Sequence, residues 1–288
     1  MKTVRIIILV FAAAAAFSSS FVSCAPEVDY SGHKKETQVD TSKLSPLYAE
    51  FLSDNIATKY FSLDMLSQMN YGAVAMMSCC AYYEYRLQQG RKAGQNWIYT
   101  NKNKYSPQST SFDNMLASGL YGANCAMPSN WALIDMGVMP EGKRFYGGSG
   151  GSFANYSDVA SYIAKAATVK SMGGKSKMKD LVADGTVLPG DIILANEHTF
   201  IYLGDDPMDT NDKDIYFCAG KNDAMGHRDA TIECEYTGGA FVFDSFISYE
   251  KSDPDWSVWW IIRFKPSYVP EYYRNSEGKI VSNPMIIQ

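Results

Sequence analysis

From about Asn70 to Gln89, apolar side chains return every three or four positions: Ala73, Met76, Met77, Cys80 and Tyr83. That spacing lines one face of a long helix ending before Gly90, with Cys79 and Cys80 as small buried hydrophobes. Upstream, "SPLYAEFLSD" predicts a helix capped by Ser45 with Pro46 in its first turn, and a second begins near Ser62. Downstream, "IYTNKNKYSPQSTS" is a loop, and a short helix capped near Ser111 runs to Gly119. "NCAMPSNWALIDMG" follows as a helix stopping at Gly137, its Trp131, Ala132 and Met136 turned toward a sheet. "NYSDVASYIAKAATVKSMGG" reads as one more helix, with Ser157 as cap and Gly173-Gly174 as stop.

The period then changes. "LPGDIILAN", "HTFIYLG", "DIYFCAG", "ATIECEY", "AFVFDSFISY" and "SVWWIIRF" are short apolar or alternating runs separated by Gly, Asp and Pro. Helices first and strands after predict an α+β architecture whose sheet is antiparallel and strongly curved. "FYGGSGGSF" lacks the lysine and the helix context of a phosphate-binding loop and carries no nucleotide role. The Tyr- and Pro-rich tail, residues 266–288, wraps the surface.

The N-terminus changes the picture of location. Lys2 and Arg5 precede an apolar stretch from Ile6 to Phe17, and "FSSSFVSC" follows, the pattern of an export signal over residues 1–24. "Phe21-Val22-Ser23-Cys24" resembles the lipobox of bacterial lipoproteins, with Phe21 where leucine is usual. That resemblance implies lipidation at Cys24, a chain exported and anchored in a bacterial membrane, and residues 25–41 as a flexible tether. Ordinary secretion with cleavage after a small residue is the alternative. Without Lys2 and Arg5, 24 basic residues face 31 acidic ones, a formal charge of −7 with no basic block, which excludes a nucleic-acid partner.

Candidate chemistry comes from the cysteines. Five remain besides Cys24, an odd number with no CxxC spacing, so neither a disulfide framework nor a structural zinc site is predicted, although Cys218 and Cys234 could pair. Cys125 lies just before Pro128, a residue at home only in a helix's first turn. A helix start stabilises a thiolate through its free N–H groups and partial positive charge. A thiolate also needs a base. His33 falls in the tether and His227 in the polar "NDAMGHRD", so His198, opening "HTFIYLG" at a strand edge, is the leading partner.

"NCAMPSNWALIDMGVMP" followed by "LPGDIILANEHTFIYLG" resembles the NlpC/P60 and CHAP-type cysteine peptidases and amidases, over roughly residues 110–265. The matching residues are Cys125, Ala126, Leu133 and Gly137, then Pro189, Gly190, Asp191, His198, Ile201, Tyr202 and Gly204. Asn124 stands where many NlpC/P60 members carry Asp. The resemblance implies a papain-like fold with the nucleophile helix packed on the curved sheet, a helical annex over 42–105 and a catalytic domain over 106–265. It also implies a third polar residue on the next strand to orient His198. Pairing Gly204 with Asp214 puts Cys218, Gly220 and Asn222 on the face of His198, which selects Asn222. Asp223 takes that role if a bulge shifts the parity.

The implied function is hydrolase chemistry on amide bonds of cell-wall peptidoglycan stem peptides, through a thioester acyl-enzyme and with neither cofactor nor metal. The Cys125 N–H would serve the oxyanion, with Tyr121 as a candidate second donor. Two other readings stand beside it. One is a catalytically inactive papain-like lipoprotein that binds cell wall. The other is a lipid acyltransferase of the same superfamily, whose relatives place His before Cys, opposite to the order here.

Overall fold

A computed structural model describes residues 60–61, 65–66, 68–99, 110–119, 121–145, 156–196, 198–205, 214–219, 242–243, 245–250, 256–271 and 274. The export signal with Cys24, the tether, the Ser45 helix, and the positions of Asn222, Asp223, His227 and Cys234 lie outside these residues. The described residues all belong to one compact unit, Thr37–Gln288.

The architecture is mixed α+β: helices lie beside an antiparallel sheet of six strands. The longest helix, α1 (Tyr71–Lys92), starts where the Asn70 side chain accepts the Ala73 N–H at 3.0 Å and donates to the Phe264 carbonyl at 2.8 Å. It does not stop before Gly90 but continues to an Ala93 cap. At Gly90 the Gln95 side chain folds back over the helix, its Oε1 2.4 Å from where a Cβ would stand. Every position from Gly72 to Glu84 is buried, so α1 is enclosed on all sides rather than along one stripe. Cys79 and Cys80 are within that core, as their spacing predicts.

Strand β1 (Trp97–Tyr99) pairs in parallel with β2 (Gly122–Ala123), and α2 (Phe112–Ala117) stands between them in sequence. Helix α3 (Met127–Asp135) follows β2. It closes as predicted at Gly137: Val138 N–H reaches the Leu133 carbonyl at 2.9 Å and Gly137 N–H that of Ile134 at 2.8 Å, a Schellman motif. Trp131 lies between the helices and the edge of the large sheet. It sits edge-on among Tyr83 of α1, Phe112 of α2 and Phe246, which join the helices in one aromatic cluster.

The segment expected as a single helix divides. Helix α4 covers Tyr156–Ile163, and β3 (Ala167–Lys177) is a strand. β-Branched Thr168 and Val169 favour extension, and pairing with the final strand decides it. After β3 come α5 (Met178–Ala183), β4 (Ile192–Ala195), β5 (His198–Asp205), β6 (Asp214–Phe217), β7 (Val242–Phe243), β8 (Ile247–Glu250) and β9 (Ser257–Phe264). The large sheet runs β3-β9-β4-β5-β6-β8, and β7 joins β1 and β2 in a small second sheet. As an edge strand, β3 carries Lys170, Lys175 and Lys177, which discourage edge-to-edge association.

Both faces of the large sheet are covered. Ile192, Leu194, Ile201, Phe217 and Ile262 join the core containing α1 and α3. Ile193, Ala195, Phe200, Tyr202, Tyr216 and Val258 form a second cluster with Met178 and Leu181 of α5. This explains why "IILA" is apolar throughout instead of alternating.

The Pro-Gly-Asp turn before β4 is a lock. Asp191, 1 % exposed, accepts Arg263 Nε at 2.7 Å, Arg263 Nη2 at 2.5 Å and the Leu188 N–H at 2.8 Å. Gly190 has φ 89°, and a Cβ there would lie 2.7 Å from that of Ala73, so the turn nests against α1. The β5–β6 hairpin pairs Tyr202 with Tyr216, the alignment expected at the His198 end, with a bulge shifting Gly204 onto Ile215.

Candidate active site around Cys125

Cys125 occupies the turn between β2 and α3. Asn124 shapes that turn: its side-chain oxygen accepts the Ala126 N–H at 3.1 Å and its carbonyl accepts the Met127 N–H at 3.2 Å. The helix therefore borrows its cap from Asn124, since Ala126 at the cap position has no capping side chain. Farther along, the buried Asn130 amide donates to the Ala126 and Phe145 carbonyls, at 2.9 and 3.0 Å, and fixes the first turn.

The thiol is free and 5 % exposed. Four donors favour its anion: the Thr199 N–H, the Tyr99 hydroxyl, and the backbone N–H groups of Ala126 and Cys125 itself. The β1–β2 pairing of Tyr99 with Ala123 brings Tyr99 beside the Cys125 turn. Thr199 is placed by strand parity. Tyr202 N–H donates to the Asp191 carbonyl at 2.9 Å, so even-numbered N–H groups of β5 point toward β4 and odd-numbered ones toward β6. The last β5–β6 pair on this side is Ile201 with Phe217. Beyond it, the Thr199 N–H meets the Cys125 sulfur where another ladder partner would stand. Burial outweighs all four donors and holds the thiol above its ordinary pKa, so Cys125 is a neutral thiol at rest.

His198 precedes Thr199, so the sulfur lies near the root of its side chain. The ring, however, is turned to the sheet face opposite α3. Its centroid lies 5.0 Å from Trp256 and 5.6 Å from Phe200. Loss of hydration pushes its pKa from 6.5 down to about 4. Among the described residues no hydrogen bond joins His198 to Cys125. The structure thus brings the backbone of His198 to the thiol and leaves its ring on Trp256. Alternation along β5 is the reason: His198 goes with Phe200 and Tyr202, whereas Thr199 faces the α3 side with Ile201.

Cys218 shares the His198 face, as the expected register requires. Tyr121 packs on Trp97, and its hydroxyl accepts from Gln95 Nε2 at 2.6 Å. The sequence reading did not single out Tyr99, Thr199 or Trp256. The β-prone run "WIY" was the available signal for Tyr99; nothing local marks the other two. A cavity of about 430 Å³ lies toward the other end of β5, lined by Met65, Leu188, Pro189, Tyr202, Leu203 and Gly204, and includes none of the predicted site residues.

Among the described residues no group of three or more His, Cys, Asp or Glu side chains could hold a metal ion, and no helix is long and apolar enough to cross a membrane. No family model, curated protein or solved structure matches the chain.

Proposed function

We propose that the chain is a cysteine amidase or endopeptidase with a papain-like fold, exported and lipid-anchored at Cys24, that hydrolyses amide bonds of peptidoglycan stem peptides. One observation carries the reading: a free thiol at a helix start, met by a phenol and three backbone N–H groups, beside the strand that begins with His198. Such a cage serves a sulfur that must become an anion.

In this mechanism the His198 side chain rotates off Trp256 toward the sulfur and takes the thiol proton. The thiolate attacks the amide carbonyl, the tetrahedral intermediate collapses, and the leaving amine departs with the proton returned by His198. Water then cleaves the thioester and restores the thiol. A neutral thiol facing a neutral imidazole is a competent starting pair, because the proton moves only when substrate arrives.

The placement of the His198 ring favours one rival, a cell-wall-binding lipoprotein without turnover. Purified peptidoglycan incubated with the wild-type chain, Cys125→Ala and His198→Ala separates the two. Release of soluble stem peptides by the wild type alone is the expected result. Equal release by Cys125→Ala, or retention on the wall without release by all three, would remove the catalytic reading.

A further inference from the structure

The Thr199 hydroxyl makes no hydrogen bond among the described residues. Its Oγ1 is buried, the residue is 0 % exposed, and no donor or acceptor among the described residues meets it. A buried hydroxyl without a partner is destabilising compared with a methyl of the same size, and its hydrogen is free for a ligand. The same residue supplies the backbone N–H that reaches the Cys125 sulfur. Its side chain leaves the strand on the α3 face, as Leu194 does directly across the ladder. The hydroxyl and His198 therefore depart from opposite faces of β5 at the point where the sulfur lies.

Building on the proposed amidase chemistry, we infer that Thr199 Oγ1 is the second oxyanion donor, acting with the Cys125 backbone N–H on an acyl group bound to the sulfur. When the thiolate attacks, the C–S bond forms and the carbonyl π pair moves onto oxygen. That oxygen, on the carbon joined to sulfur, needs donors close to Sγ. Thr199 carries an uncommitted O–H on the same residue whose backbone N–H reaches the sulfur, and the Cys125 N–H lies at the start of α3. Collapse returns the electron pair to the carbonyl and breaks the C–N bond. The departing nitrogen takes its proton from His198 on the other face, so donor and acid do not compete for space. Tyr121 is less suited to this task, because its hydroxyl is already engaged with Gln95.

Thr199→Val keeps the shape and removes the O–H; Thr199→Ser keeps the O–H. With purified peptidoglycan as the probe, Thr199→Val is expected to lower kcat roughly 10²-fold, the loss seen when one oxyanion donor is removed. KM should stay within about twofold and the Tm should be unchanged or higher, while Thr199→Ser retains most of the turnover. Turnover of Thr199→Val within about threefold of wild type overturns the assignment. So does equal loss in the Val and Ser variants accompanied by a lowered Tm, which marks a packing role. The reading underneath is judged separately by Cys125→Ala. If that variant is dead and Thr199→Val is fully active, only the donor assignment falls. If Cys125→Ala is active, or wild type releases nothing, both fall.

Discussion

Replacing Arg263 with methionine tests whether the Pro-Gly-Asp turn is held by charge or by packing. The Asp191 carboxylate is almost fully enclosed, with side-chain exposure of 2 % against 35 % for Arg263. Truncating the guanidinium removes contacts at 2.7 and 2.5 Å and a further bond from Nη2 to the Thr186 carbonyl at 2.7 Å. Of the carboxylate's donors, the Leu188 N–H remains. Breaking a buried pair by deleting one partner costs about 3–5 kcal/mol. Arg263 is about one third exposed, so water can enter the vacated space, and the low end, about 3 kcal/mol, is expected. The penalty depends on pH in a defined direction. Burial already holds the Asp191 pKa above its ordinary value despite Arg263, and losing the cation raises it further. An uncharged Asp191 needs no cation, so the deficit is full at neutral pH and shrinks as pH falls through the raised pKa. Urea unfolding of wild type and Arg263→Met at pH 7.5 and 4.5 measures this, provided the slopes agree. A loss below about 1 kcal/mol at pH 7.5, or the same loss at both pH values, would refute the electrostatic account.

Two further pH-linked outcomes follow from the site's surroundings. Trp256→Leu should move the His198 pKa upward from about 4 toward 6.5, read by imidazole NMR titration, and speed iodoacetamide labelling of Cys125, because the ring loses the partner that holds it off the sulfur; an unmoved pKa would show that Trp256 does not set it. Asp135, at the end of α3, accepts the Tyr83 hydroxyl at 2.6 Å and is raised by burial from 3.8 to about 7. It therefore supports folding fully below pH 4 and loses that support as pH rises to 7, so Asp135→Asn should stabilise the protein by about 1–2 kcal/mol at pH 8 and not at pH 4; a variant less stable than wild type at pH 8 would contradict this.

Much of this was legible in the chain because local rules and long-range packing agree. The α3 stop at Gly137, the Ser111 cap and the strands β4, β5, β6 and β9 follow from turn residues and short apolar or alternating runs. The failures have a common physical form. Gly90 looked like a helix stop, but its space is taken by the returning Gln95 side chain. Ala167–Lys177 looked helical, yet β9 offers a pairing edge that propensity cannot see. In each case a group outside the segment itself decided the outcome.

The same distinction explains why the sequence could mark Cys125 and His198 as candidates while their arrangement could not be read from it. Sequence spacing places a cysteine at a helix start and a histidine at a strand start, but it does not say on which side of the strand the sulfur lies. Here the sulfur meets the Thr199 N–H, and hydrogen bonds of this kind lie near the plane of a sheet. A sulfur near that plane is approached from both faces by successive side chains, Thr199 from one and His198 from the other. In the proposed reaction this is useful, because the oxygen that gains charge and the nitrogen that needs a proton are different substituents of one tetrahedral carbon and point different ways. A base on the Thr199 face would crowd the oxyanion donors. The resting contact of His198 with Trp256 then has a physical consequence. Burial there favours the neutral imidazole from about pH 4 upward, so in the proposed reaction the step that admits substrate also releases the ring.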